Sequence, residues 1–236
     1  MCSRYVRKIN EQKISKKFNS GRLLGDASAV AQANYNIAPT TFQPVIRVSR
    51  EGERETVLMR WGLVPHFTKQ LSDVKGVSTI NARAETVETS AMWRGPLRRR
   101  RCLVPADGFY EWKKLDAKTK QPWMFSMRDG EPFAFAGLWD AWKEPVGEGW
   151  LQSFSIITTE PNELTATVHN RMPVIVRPQD YERWLDRGET ERPPVELLRP
   201  FDAEAMTAWT VDPRVGNVRN NGPELCEAWQ CPPNSA

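Results

Sequence analysis

Six short apolar or alternating runs, each the length of one β-strand, limit what this chain can fold into more than any other feature. They are Pro44-Val45-Ile46-Arg47-Val48, Thr56-Val57-Leu58-Met59-Arg60-Trp61, Cys102-Leu103-Val104, Phe133-Ala134-Phe135-Ala136, Phe154-Ser155-Ile156-Ile157 and Pro173-Val174-Ile175-Val176. Such runs, rich in β-branched and aromatic residues and bounded by Pro, Gly and charged segments, read as strands. Helical pattern is confined to roughly 15–25, 82–88, 161–168, 178–187 and 194–198. The mixture predicts an α+β fold with a mostly antiparallel, barrel-like sheet flanked by short helices. With 236 residues, 40% of them hydrophobic, the chain is long enough to bury one substantial core. A single domain is expected over residues 1–229, followed by a polar, Pro-containing and disordered tail at 230–236.

Nothing in the sequence marks a membrane protein. There is no run of about 18 consecutive apolar residues and no apolar segment of a secretory signal near the start, so a cytoplasmic protein is expected. Cys2, Cys102, Cys226 and Cys231 form no C-x-x-C pair and only His66 and His169 could join them, which argues against zinc and for free thiols. No metal and no cofactor are expected, and the protein is expected to act as a monomer. The net charge of +4 is unevenly spread. Arg4, Arg7, Lys8, Lys13, Lys16, Lys17 and Arg22 face one acid, Glu11, in the first 25 residues, and a second run, Arg98-Arg99-Arg100-Arg101, follows Arg94. Basic clusters of this kind suit a polyanion such as a phosphate backbone, or else form a solvated face.

The first cluster lies beside Cys2. Removal of Met1 would leave a free α-amine and a thiol on adjacent carbons. An aldehyde condenses with such an amine to an imine, and the neighbouring sulfur closes on the imine carbon to give a thiazolidine. A lysine would stop at the imine and an internal cysteine at a labile hemithioacetal, so the terminal position itself carries the chemistry. The ordinary proton affinities of the two groups, about 7.7 to 8.0 and about 8.5, leave a reactive fraction of each at neutral pH.

Five further segments combine polar groups with turn or aromatic residues: Tyr35-Asn36-Ile37-Ala38-Pro39-Thr40, Arg60-Trp61-Gly62-Leu63-Val64-Pro65, Asn81-Ala82-Arg83-Ala84-Glu85-Thr86, Ala106-Asp107-Gly108-Phe109-Tyr110-Glu111-Trp112 and His169-Asn170-Arg171-Met172-Pro173. A polar turn, Val215-Gly216-Asn217-Val218-Arg219-Asn220, follows near the end. Taken with Met1-Cys2-Ser3-Arg4, this series resembles the SRAP family, named for SOS-response-associated peptidase, whose members act on abasic sites in single-stranded DNA. The resemblance spans nearly the whole chain. It departs from the family's usual pattern at Ser3, where a Gly is usual, and at His66-Phe67, where tryptophans often stand.

The resemblance implies that Cys2 is the nucleophile, that Asn81 holds the terminal amine or the sugar oxygen, that Glu111 is the acid/base and that His169 assists opening of the sugar ring. Its expected partner is single-stranded DNA containing abasic sites. The residues read on their own agree in part. Glu111 sits between Phe109, Tyr110 and Trp112, where desolvation raises a carboxyl's proton affinity, although a salt-bridged edge glutamate would look the same. A lone His169 could equally cap a helix, and Asn81, at the start of an expected short helix, could be its N-cap. Arg83 and Arg171 fit paired donors to phosphate, with Arg4 next to the reacting centre. Pro39, Trp61 and Phe67 could form an apolar wedge against bases, although most tryptophans must be core. Cys102, beside Leu103 and Val104, reads as a buried small hydrophobe. Two rivals stand beside covalent capture: a thiol peptidase using Cys2, Asn81, Glu111 and His169, and a noncovalent single-strand binder.

Overall fold

In a computed structural model, residues 2–21, 23–25, 31–74, 79–145, 149–188 and 191–229 are described. The expected tail at 230–236, Met1 and Arg22 lie outside them. The strands in chain order are β1 (Tyr5–Arg7), β2 (Leu23–Leu24), β3 (Asn34–Ile37), β4 (Phe42–Val48), β5 (Arg54–Trp61), β6 (Asn81–Arg83) and β7 (Arg101–Ala106). They continue with β8 (Gly108–Lys114), β9 (Lys120–Met127), β10 (Phe133–Lys143), β11 (Trp150–Thr159), β12 (Met172–Pro173), β13 (Ile175–Val176) and β14 (Met206–Thr210). Among the described residues four short helices accompany them, α1 (Glu11–Phe18), α2 (Arg94–Arg99), α3 (Glu163–Ala166) and α4 (Tyr181–Leu185).

Within the larger sheet, β11, β10, β7, β4 and β5 pair in succession and a parallel pairing of β5 with β11, Trp61 opposite Phe154, closes the ring. Closure removes the exposed edges that an open sheet would leave. A second, five-stranded sheet runs β14-β9-β8-β1-β3. The antiparallel expectation holds for most pairs. The exceptions are β2 on β5, β5 on β11 and β6 on β11, all parallel.

The apolar runs are continuous because both faces of these strands are covered. Phe133 and Phe135 join one core cluster while Ala134, Ala136 and Leu138 join another. Cys102 and Val104 likewise face one way and Leu103 the other, as a period of two requires. The first cluster also holds Tyr5 and Phe109, so the two sheets share one interior. The second carries Ile14, Phe18, Tyr181 and Trp184 from α1 and α4.

Two helical expectations shift. The first helix starts at Glu11, not near residue 15, because the Asn10 side chain accepts from the Lys13 N–H as an N-cap, and it stops at Asn19, whose φ of 48° is left-handed. Residues 81–83 are a strand and only Ala84–Thr86 make a 3₁₀ turn, so Asn81 is not a helix cap. Gly108 opens β8 where a Cβ would meet the Met124 side chain and come within 2.7 Å of the Phe125 carbonyl oxygen, so only glycine lets β8 lie so close to β9. Among the described residues no helix is long and apolar enough to cross a membrane.

Candidate functional site

β1 brings the start of the chain to β8. Tyr5 lies opposite Phe109, and the Tyr110 N–H donates to the Arg4 carbonyl at 3.0 Å. Along β8 the side chains alternate, so Glu111 continues the face of Phe109 into the interior while Tyr110 and Trp112 turn the other way. Glu111 is 2% exposed, and burial pushes its carboxyl up to about 7, partly opposed by backbone donation from Trp112.

Asn81 reaches the same place from β6, which runs parallel to β11 with Asn81 opposite Ile156. Its Nδ2 donates to the Cys2 carbonyl oxygen at 2.9 Å. Among the described residues no group donates to its buried Oδ1, an acceptor left available in a setting where buried polar atoms are normally satisfied. His169 follows α3, which Asn162 caps by accepting from the Thr165 N–H. The Arg171 N–H donates to His169 Nδ1 at 3.0 Å, and burial lowers the imidazole's proton affinity. The Arg171 carbonyl oxygen also lies 3.3 Å from Nδ1 and can accept from it, and in that tautomer the basic lone pair is on Nε2. That atom faces Glu111 Oε2 at 3.9 Å.

Cys2, Asn81, Glu111 and His169 are therefore gathered from four separate stretches of sequence. Cys2 itself is fully buried rather than open to the cleft, and burial, reinforced by the Glu111 carboxylate, pushes its thiol far above the ordinary range. The cleft above has a volume of about 380 Å³ and is walled by Ser3, Arg4, Glu111, Trp112, Lys120 and His169, with Gly216 at its rim. Arg4 donates to Asn36 Oδ1 at 2.9 Å and to the carbonyl oxygen of Val215 at 3.0 Å, and Asn36 Nδ2 donates to the carbonyls of Val215, Asn217 and Asn220. These bonds fix the C-terminal polar turn as one lip of the cleft. Lys120 gave no signal in the sequence because it closes a lysine-rich hairpin that reads as a solvated turn.

Three expectations need correction. Trp61 cannot stack on a base, since it is 0% exposed, packed on Tyr5 and Phe154, with its indole N–H donated to the Ile80 carbonyl. Arg171 is not an open phosphate clamp, since Glu85 accepts from it at 2.5 and 3.0 Å and the Thr158 carbonyl at 2.6 Å. The basic clusters are also smaller than they read. Arg7 is buried and donates to the carbonyls of Ile9 and Gln32, and Arg101 is buried among the carbonyls of Leu97, Arg98, Trp184 and Asp186. Arg83 is exposed, Pro39 half-buried and Phe67 59% exposed against His66. Cys102 is buried, as a small hydrophobe would be. Among the described residues no group of three or more His, Cys, Asp or Glu is placed to hold a metal ion.

The pattern of the SOS response associated peptidase (SRAP) family matches residues 1–218. The chain belongs to the SRAP family. Similar proteins include the abasic site processing protein YoqW of Bacillus subtilis, 38% identical over 97% of this chain and all of its own length. The abasic site processing protein HMCES of Gallus gallus is 34% identical over 81% of this chain and 65% of its own. The SRAP fold seen here also matches the crystal structure of a Bacteroides thetaiotaomicron protein with a TM-score of 0.85 at 25% identity, covering 97% of this chain and all of that one.

Proposed function

We propose that this protein processes abasic sites in single-stranded DNA by covalent capture at Cys2. The observation that carries the proposal is the Asn81 to Cys2 hydrogen bond, which holds the start of the chain against Glu111 and His169. The names of the similar proteins point the same way. Removal of Met1 frees the Cys2 amine. An abasic sugar is mostly a closed hemiacetal, so His169 takes the hydroxyl proton at C1′ while Glu111 protonates the ring oxygen, and the chain opens to the aldehyde. The amine adds to C1′ and water leaves as the imine forms. The thiol then adds across the carbon–nitrogen double bond, sulfur to carbon and proton to nitrogen, which closes the thiazolidine. Asn81 Oδ1 accepts from the amine or a sugar hydroxyl. Arg83 and Arg4 steady the phosphates, and Pro39 and Phe67 offer apolar surface to bases. Imine that escapes ring closure undergoes β-elimination, a weak lyase activity. The site works as one domain, as a monomer and without a cofactor.

The test is incubation of the purified protein with an abasic oligonucleotide, followed by a denaturing gel. A shifted band that survives denaturation supports capture; binding that disappears on denaturation leaves a noncovalent binder, and cleavage of peptide substrates without any shifted band favours the thiol peptidase.

A further inference from the structure

The arginine run of the sequence points away from the site just described. Arg101 turns inward, but Arg99 and Arg100, at the end of α2, open on a second cleft of about 420 Å³ together with Arg47, Arg50 and Arg187. Its remaining walls include Trp139 of β10 and Trp150 of β11. Gln152 on β11 also lines it, and Ile156, which pairs with Asn81, and Thr158, which pairs with Arg83, follow four and six residues later on the same strand, about 13 and 20 Å along it at about 3.3 Å per residue.

The charge here is only partly cancelled, since five arginines face Glu51, Glu55 and Asp140, and Glu51 acts on both Arg50 and Arg187. Glu55 is taken by Arg47 at 2.6 Å and Asp140 by Arg100 at 3.3 Å. Arg187 is held by the Ser49 carbonyl, which orients its guanidinium and leaves its charge intact. Arg50 and Arg99 are exposed, and among the described residues no hydrogen bond or ion pair engages either of them. Trp150 is 63% exposed, an apolar area that folding alone would hide, and Trp139 lies under the Arg47 guanidinium at 4.4 Å. Guanidinium groups that can pair with phosphate oxygens beside an open indole on which a base can stack are the two elements of a single-strand groove.

We propose that this cleft is a second nucleic-acid site, which holds the sugar-phosphate backbone on Arg50, Arg99 and Arg187 and stacks one base on Trp150. It extends the DNA reading above and does not depend on the chemistry at Cys2. A strand reaching both clefts is gripped at two points, so the protein stays on the DNA while the lesion is presented.

The test uses the full chain and an undamaged labelled oligonucleotide of about twenty thymidines, longer than a single site of about 4 to 16 nucleotides. In a salt titration of anisotropy, Arg50→Ala/Arg99→Ala should lower the slope of log affinity against log salt by about 1.4, two phosphate contacts on a single strand. Trp150→Ala should weaken binding about five- to a hundredfold, with little change in slope. Polyglutamate, which carries charge but no bases, should displace the strand only weakly. Both variants should form adduct on a short abasic strand of about five nucleotides as fast as the unaltered protein. Unchanged affinity and slope in the double variant and in a charge-reversed Arg50→Glu/Arg99→Glu version would overturn the groove, as would polyglutamate displacing the strand as well as DNA does. If the unaltered protein binds thymidines by this cleft but forms no adduct, the abasic chemistry fails and the groove stands.

Discussion

His169 Nε2 and Glu111 Oε2 face each other at 3.9 Å, and burial moves both groups toward their neutral forms. The carboxyl rises to about 7 and the imidazole falls below its usual value, so near neutral pH an acid that can give a proton stands beside a base that can take one.

Glu111→Gln keeps the shape and removes the titration. The rate of adduct formation should fall about 10²-fold, the lower end of what general acid catalysis supplies, because the terminal amine and thiol stay reactive. In the unaltered protein the rate should decline as pH rises through about 7, where Glu111 gives up its proton, and that limb should vanish in the variant. Single-turnover rates across pH would show it. An unchanged profile would make Glu111 a structural residue.

The same shift bears on stability. Because the folded state binds the Glu111 proton more tightly than the unfolded chain does, its contribution is fully present below about pH 4.5 and is lost as pH climbs to about 7. The loss amounts to about 3 kcal/mol. Urea midpoints measured against pH should fall over that window in the unaltered protein and stay flatter in Glu111→Gln.

How much of this could be read from the sequence depends on distance along the chain. The strands were legible because their local pattern suffices, and Glu111 because its own neighbours are aromatic. The union of Cys2 with Asn81 was not legible by local reasoning, since it depends on β6 lying parallel to β11, a pairing between residues 75 positions apart. The same limit explains Trp61 and Arg171. A tryptophan on an alternating strand gives no sign of which face is closed by a barrel, and an arginine gives no sign that Glu85, 86 residues away, will occupy it.

Freeing that arginine is itself a prediction. Glu85→Ala leaves the Arg171 guanidinium held by Thr158 and open to phosphate, so affinity for single-stranded DNA should rise and the salt slope should steepen by about 0.7. Arg171→Ala should instead lower thermal stability, since the Thr158 carbonyl loses its donor. Anisotropy against salt and a melting curve separate the two effects. Weaker binding in Glu85→Ala would mean that the pair serves DNA as it stands.

Asn81→Ala removes the donor to the Cys2 carbonyl and the buried Oδ1 together. Adduct formation should slow roughly tenfold or more, as expected when a buried hydrogen-bond partner is deleted, with binding of undamaged DNA unchanged. Loss of DNA binding in equal measure would show that Asn81 holds the strand rather than the reacting end.

Intact mass spectrometry after incubation with an abasic oligonucleotide tests covalent capture at Cys2 most directly. The account predicts one new species, the mass of the chain without Met1 plus the oligonucleotide less one water, stable to heating in denaturant and absent from Cys2→Ala. A species of that mass formed equally by Cys2→Ala, or no species at all from a chain shown to have lost Met1, would contradict it.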